Sequence, residues 1–164
     1  MVRLLINLQW CDNNSLGFTI KNTVRTVERL FDLELRRTAG ITLSQAKIIR
    51  ALTLGKDGLT QKEIAEGIGI EAPTLVPLID RMEEAGLVER RQDKSDRRSN
   101  RVYLTVKASL LWGAIEESLG QVRKVVQRGI PKEDVEMVRK VLDKIAQNAT
   151  DYLESQTLRA EVQK

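Results

Sequence analysis

The chain has 164 residues, of which 41% are hydrophobic and 30% are charged, with a formal net charge of +4. This length and balance suit a globular protein with an ordinary core, in one or two small domains. Because it has no histidine and one cysteine, histidine-dependent catalysis, an internal disulfide and a structural zinc site are excluded. Its first residues lack the pattern of a signal peptide, and no apolar run is long enough for a membrane span, so we expect a cytoplasmic protein.

The N-terminal half is predicted to contain closely spaced helices. Apolar residues recur at helical spacing over 18–37, and Ala39-Gly40 ends that segment. Two capping boxes follow, Thr42-Leu-Ser-Gln45 and Thr60-Gln-Lys-Glu63. In each box the threonine hydroxyl and the side chain three residues later satisfy backbone N–H groups of the first helical turn. Each box therefore predicts the start of a helix.

Residues 61–80 fit a helix-turn-helix pattern. A small residue at Ala65 allows the second helix to cross closely, and Gly69 supplies the positive φ of the turn. The positions expected to face the core are Ile64, Ala65, Ile68, Gly69, Ile70, Leu75 and Leu78. The second helix is predicted from Ala72 to Ala85 and closes at Gly86. Its size suits the major groove of DNA.

The outward face of this second helix carries the predicted base contacts. Thr74 is expected to donate to a base or a phosphate, and Val76 to touch a thymine methyl group. Pro73 suits a first helical turn. Pro77 is either tolerated early in the helix or kinks it and changes its angle in the groove. The predicted contact residues are Ala72, Pro73, Thr74, Val76 and Pro77.

A strand, a basic loop and a return strand over 87–104 predict a β-hairpin, or wing. From Glu89 to Lys107 seven basic and three acidic residues leave +4, which equals the net charge of the chain. Such a focused patch suits a polyanion, although a solvated charged hairpin is the alternative. Asp96 is expected to orient Arg98 for the minor groove, and Arg97 and Arg101 are expected to contact phosphates. The predicted wing contacts are Lys94, Ser95, Asp96, Arg97, Arg98 and Arg101.

Two further helices with apolar stripes are predicted over about 106–128 and from Pro131 to about Gln156. The fold class is therefore mostly α with a small β-hairpin wing. A winged helix-turn-helix domain at 41–105 is flanked by a helical dimerisation region at 1–40 and 106–164. The stripes could pack within one chain, but a homodimer is the simpler arrangement, and a symmetric DNA site needs a symmetric reader.

The segment from Leu59 to Arg90, the wing sequence Asp96-Arg-Arg98 and Leu104-Thr-Val-Lys-Ala108 resemble the MarR family of transcriptional regulators, nearest its SlyA-like branch. The resemblance implies an obligate homodimer that binds an inverted repeat in double-stranded DNA, usually as a repressor. It also implies release of the DNA when a small phenolic or anionic effector, such as salicylate, binds. The family's wing Asp-x-Arg pair matches Asp96 and Arg98. Pro77 departs from the pattern, because the family often has Arg or Lys there.

Two other classes of function compete with this interpretation. A winged-helix interaction or architectural module would bind DNA weakly and without sequence preference. An enzyme has little support, because no glycine-rich phosphate loop or nucleophile–base pair is present, and carboxylates such as Glu83 and Glu84 are expected on a solvated helix face. No cofactor or metal is expected.

Overall fold

A computed structural model describes residues 15–55, 58–93 and 100–162. These residues form a mostly helical structure with one small antiparallel sheet, which confirms the predicted fold class. The chain divides into two compact units, Met1–Arg123 and Lys124–Lys164. The elements are α1 (Leu16–Ala39), α2 (Leu43–Leu54), β1 (Leu59–Thr60), α3 (Gln61–Ile68), α4 (Ala72–Glu84), β2 (Val88–Gln92), β3 (Asn100–Leu104), α5 (Val106–Ser109), α6 (Trp112–Val126) and α7 (Lys132–Val162). The predicted boundaries 1–40, 41–105 and 106–164 stay a prediction.

Local capping sets the starts of α2 and α3. The Gln45 N–H donates to the Thr42 hydroxyl at 3.2 Å, and the Thr42 N–H donates to the Gln45 side chain at 2.8 Å. In the same way Glu63 N–H reaches the Thr60 hydroxyl at 3.2 Å, and the Thr60 N–H reaches the Glu63 carboxylate at 2.7 Å. Both predicted capping boxes are thus confirmed.

The core of the first unit lies where α2, α3 and α4 meet the sheet. The strand order is β1-β3-β2, all antiparallel, with Leu59 opposite Val102 and Val88 opposite Leu104. The apolar residues of this core with no exposed surface are Leu35, Ile48, Ile49, Ile64, Leu75, Ile79, Met82, Val102 and Ala108. This core fixes α4 and the β2–β3 hairpin relative to each other. Strand β1 was not predicted, since two residues are too few to show a period.

The predicted continuous helix over 106–128 is wrong. The chain turns at Leu110 and Leu111, where the Leu111 N–H bonds to the Ala108 carbonyl at 3.0 Å and tightens the turn. Thr105 holds this first turn to the hairpin by donating to the Gly86 carbonyl at 2.7 Å. Leu110, which falls within the predicted helix, lies in this turn and is 79% exposed. The last helix, α7, is longer than predicted: it continues past Gln156 to Val162.

Asp32 joins α1 to the first turn of α2. Its Oδ1 accepts the Leu43 N–H at 2.9 Å, and its Oδ2 accepts the Arg36 Nε–H at 2.7 Å. The hydrogen bond from Arg36, followed by the one from Leu43, lowers the pKa of Asp32 below its ordinary value of 3.8. The carboxylate form therefore ties the two helices together.

This depressed pKa predicts a pH-dependent contribution to stability. A group whose pKa is lower in the folded state stabilises the fold above its unfolded pKa and loses that effect as pH falls through the folded pKa. We expect Asp32→Asn to be less stable than the parent at neutral pH, with a difference that shrinks below 3.8, the ordinary pKa of aspartate. Urea unfolding across a pH series measures it. A difference that stays constant from neutral to acid pH would contradict the assignment.

Candidate nucleic-acid interface

Helices α3 and α4 form a helix-turn-helix. The turn between them uses Gly69, which has φ 72° and donates its N–H to the Glu66 carbonyl at 3.3 Å. A left-handed residue at this point favours glycine. Of the other six positions predicted to face the core, three are buried and three are partly buried against it: Ile64, Ala65 and Leu75, then Ile68, Ile70 and Leu78. Helix α4 therefore packs on α3, and the residues at its N-terminal end remain exposed to solvent.

Helix α4 has one buried face and one exposed face. Leu75, Ile79 and Met82 have no exposed surface. The five predicted contact residues are all exposed: Ala72, Pro73, Thr74, Val76 and Pro77. Pro77 does not end the helix, which continues to Glu84. These five residues carry a hydroxyl, a branched methyl pair and two prolines, but no charge; the nearest exposed charges are Glu71, at the N-cap, and Arg81, one turn beyond Pro77.

Three side chains fasten α4 to the hairpin, and we call them the Arg90 cluster: Asp80, Glu83 and Arg90. The guanidinium of Arg90 donates to Asp80 Oδ1 at 2.5 Å and to Glu83 Oε2 at 2.5 Å. The Arg90 backbone N–H also donates to Glu83 Oε1 at 2.9 Å. Hydrogen bonds from Arg90 to both carboxylates raise its pKa despite the opposing effect of burial. Glu84 is exposed as expected, and Glu83 is 39% exposed but paired with Arg90, which the sequence did not indicate.

Arg101 lies near the loop end of the hairpin, opposite Arg91, and other groups of the chain hold its guanidinium. Its Nε donates to Asp93 Oδ2 at 2.5 Å, and its Nη1 donates to the Gly58 carbonyl at 3.1 Å. The hydrogen bond to Asp93 is the largest cause of a raised pKa for Arg101. The role predicted for Arg101, a phosphate contact, stays a prediction, and any such contact would use the nitrogen atoms that remain.

Arg91 and Tyr103 form an exposed aromatic-cation pair on the same sheet. The Arg91 guanidinium carbon lies 4.6 Å from the centre of the Tyr103 ring, and Arg91 also pairs with Glu89. The backbone of Gly58 packs against the Tyr103 ring, so closely that a Cβ at this position would lie 2.6 Å from ring atoms. With 60% of its side chain exposed, Arg91 is a basic group of the described hairpin that remains accessible to a phosphate.

The basic patch is therefore smaller than the sequence suggests. Arg90 and Arg101 bind carboxylates of the same chain, and Lys107 donates to the Ala85 carbonyl at the end of α4, at 2.8 Å. Sequence reasoning counted these three as part of the DNA-facing charge. The sequence held a weak sign of the carboxylate partners of Arg90, because Asp80 and Glu83 are three residues apart and therefore share one face of α4. Lys94, Ser95, Asp96, Arg97 and Arg98 lie outside the described residues, so the Asp96–Arg98 pairing stays a prediction.

Among residues 15–55, 58–93 and 100–162, no group of three His, Cys, Asp or Glu side chains is placed to hold a metal ion. In the same part of the chain, no helix is both long enough and apolar enough to cross a membrane.

Comparison with known proteins agrees with this geometry. The MarR family model matches residues 39–99. The structure of the transcriptional regulator PA3341 is 31% identical over 84% of this chain and 99% of that chain, with a TM-score of 0.71. The transcriptional repressor CouR bound to a 23-mer DNA duplex is 25% identical over 80% of this chain and 92% of that chain, with a TM-score of 0.71. CouR from Rhodococcus jostii RHA1 bound to p-coumaroyl-CoA is 26% identical over 81% and 92%, with a TM-score of 0.68.

Proposed function

This chain belongs to the MarR family of transcriptional regulators, and we propose that it is a ligand-responsive repressor that binds an inverted-repeat operator in double-stranded DNA as a homodimer. The observation that carries the proposal is the two-faced α4. Its buried residues anchor the helix to the core, and its N-terminal contact residues are all exposed. Strand β2 begins four residues after α4 ends, so the helix and the hairpin approach DNA from one rigid body.

Because the five proposed contact residues of α4 carry no charge, we assign different tasks to different parts of the site. Thr74 and Val76 offer one hydroxyl and one apolar contact to base edges. Phosphate attraction then comes from Arg91 and from the basic residues of the wing tip, and such contacts position the protein without specifying sequence. With Pro77 in place of a basic residue, we propose an operator read more by apolar contact and shape than by hydrogen bonds to guanine.

The proposal also covers the chemical class of the effector and the branch of the MarR family to which the protein belongs. The effector is a small phenolic or anionic compound of the salicylate kind, supported by the family resemblance and by the ligand-bound structure of CouR. Membership of the SlyA-like branch is supported by the sequence over 59–108 alone. We propose that the protein acts in the cytoplasm as a regulator and not as an enzyme.

Fluorescence anisotropy tests the DNA-binding part. We expect the protein to prefer DNA from upstream of its own gene over a scrambled duplex by at least about 1,000-fold at physiological salt. The affinity should fall steeply as salt rises, because phosphate contacts release counterions. Adding salicylate should weaken binding to the upstream duplex. Equal, weak binding to both duplexes would instead favour the interaction or architectural module.

The homodimer is supported by the apolar side chains that α7 exposes. Val138 is 56% exposed and Leu142 is 40% exposed, and with Ile145 they recur at three- and four-residue spacing along one side of the helix. An apolar stripe of this kind is normally covered. Because the family resemblance implies dimerisation through terminal helices, we propose that a second copy covers it.

Light scattering after size exclusion tests this dimer. We expect a mass of twice 18.6 kDa for the parent chain. Replacing both Val138 and Leu142 with Glu should give a monomer that binds operator DNA at least about tenfold more weakly, because each half-site is then bound alone. Lys140→Glu, on the opposite side of α7, is the matched control and should remain dimeric. A dimer that survives the double substitution would exclude this stripe as the interface.

A further inference from the structure

A groove between α2 and α3 has the size and lining of a ligand site, away from the exposed face of α4. Its volume is about 400 Å³, within the range of small-molecule sites. We call it the α2–α3 groove. It is lined on one side by Lys47, Arg50 and Leu54, and on the other by Leu59, Gly67 and Ile68. The lining divides into an aliphatic floor and a cationic rim.

Of the two cations on the rim, Lys47 pairs with a carboxylate of the described residues and Arg50 does not. Lys47 Nζ pairs with Glu28 at 2.7 Å. Arg50 is exposed, and it makes no hydrogen bond or ion pair with any residue in the described parts of the chain. Glu63 also borders the groove as a carboxylate, but its Oε2 accepts the backbone N–H and the hydroxyl of Thr60, at 2.7 and 2.8 Å, and lies 3.9 Å from the Arg101 guanidinium. The free cation therefore favours an anionic head group at the Arg50 end.

The floor of the groove contains exposed aliphatic surface that the fold does not cover. Leu54 is 70% exposed at the end of α2, beside the partly buried Leu59 and Ile68. Among the described residues no aromatic ring lines the groove, so these residues offer a planar ring no stacking partner. A flexible alkyl chain fits such an open aliphatic trough better than a ring does.

Gly67 supplies an independent observation. It lies within α3, where glycine costs about 1 kcal/mol relative to alanine. A Cβ added there would meet no atom within 4 Å, so neither packing nor a positive φ requires glycine. The missing side chain leaves the wall of the groove open.

We infer that the α2–α3 groove binds a small alkyl carboxylate, with the carboxylate on Arg50 and the chain over Leu54, Leu59 and Ile68. The inference does not rest on the proposed DNA-binding function, because it concerns a surface formed by α2, β1 and α3, without residues of α4 or of the β2–β3 hairpin. Decanoate is the natural probe. Decylamine, which has the same chain and the opposite charge, tests the role of Arg50, and salicylate tests the preference for a chain over a ring.

Calorimetric titration of the full chain provides the test. We expect one decanoate per chain, no binding of decylamine and weaker binding of salicylate in this groove. Arg50→Gln should weaken decanoate binding about tenfold or more, the size expected for loss of a charged hydrogen bond. Gly67→Phe should abolish it by filling the groove, and circular dichroism confirms that this variant is folded.

Lys62→Gln is the matched control, because Lys62 is an exposed cation of α3 that does not line the groove, and decanoate should bind it as tightly as it binds the parent chain. No saturable decanoate binding would overturn the inference. Binding that survives both Arg50→Gln and Gly67→Phe would place decanoate elsewhere and overturn it as well. Salicylate bound as tightly as decanoate, and equally lost in Gly67→Phe, would refute the preference for an alkyl chain.

Discussion

Leu75→Ala is expected to lower the free energy of unfolding by about 2–5 kcal/mol, whereas Thr74→Ala next to it is expected to change it by no more than about 0.5 kcal/mol. Leu75 has no exposed surface, and Thr74 is exposed. Truncating Leu75 leaves a cavity where α4 packs against α3 and α2. Truncating Thr74 removes only a hydroxyl and a methyl group from a solvated face. Urea unfolding of both variants measures the difference.

Thr74→Ala, which should hardly change stability, should have a clear effect when DNA binding is measured on the folded protein. Thr74→Ala should cost about 1–3 kcal/mol of discrimination between the operator and a variant operator, if the hydroxyl reads a base. Its effect on binding to scrambled DNA should be small. If Thr74→Ala weakens binding to every duplex equally, Thr74 contacts a phosphate instead. If it changes neither affinity nor preference, this face of α4 does not read DNA.

Features that depend on neighbouring residues in sequence were predictable here. The capping boxes at Thr42 and Thr60 act within one helical turn. Gly69 has the left-handed backbone conformation that glycine adopts most readily, so the residue type itself indicates the turn. The buried and exposed faces of α4 also follow from its period, since Leu75, Ile79 and Met82 recur every three or four residues. Local chemistry and periodicity are sufficient for elements of this kind.

Features that depend on contacts between distant segments were not predictable. Thr105, at the start of α5, is tied to the Gly86 carbonyl nineteen residues earlier, and no sequence pattern marks either this contact or the break that follows at Leu110. The partners of Arg90 are likewise set by the packing of α4 on β2. In the sequence, Arg90 and Arg91 are adjacent and chemically identical. Yet Arg90 lies between two carboxylates and is 20% exposed, whereas Arg91 lies over an aromatic ring, pairs with Glu89 and is 60% exposed. A count of basic residues therefore overstates the charge that DNA meets.

This difference between two adjacent arginines gives the last prediction. Arg90→Met should lower the free energy of unfolding by about 1–3 kcal/mol, because it leaves the carboxylates of Asp80 and Glu83 close together without their shared cation. The figure lies below that for a fully buried pair, since 50% of the Asp80 side chain and 39% of the Glu83 side chain are exposed. It should also weaken binding to operator DNA at least about tenfold by loosening the hairpin from α4. Because the Arg90 guanidinium is used within the chain, the salt dependence of binding should hardly change.

Arg91→Met is the matched control, one residue along the same strand. Its stability should stay within about 0.5 kcal/mol of the parent, as expected for an exposed side chain. Its affinity should fall equally on all duplexes, and the slope of log affinity against log salt should decrease by about one, the value for one lost phosphate contact. Anisotropy in a salt series, run beside urea unfolding, measures both quantities for both variants. A reduced salt slope for Arg90→Met with unchanged stability would show that Arg90 faces DNA and that the Arg90 cluster does not hold the hairpin to α4.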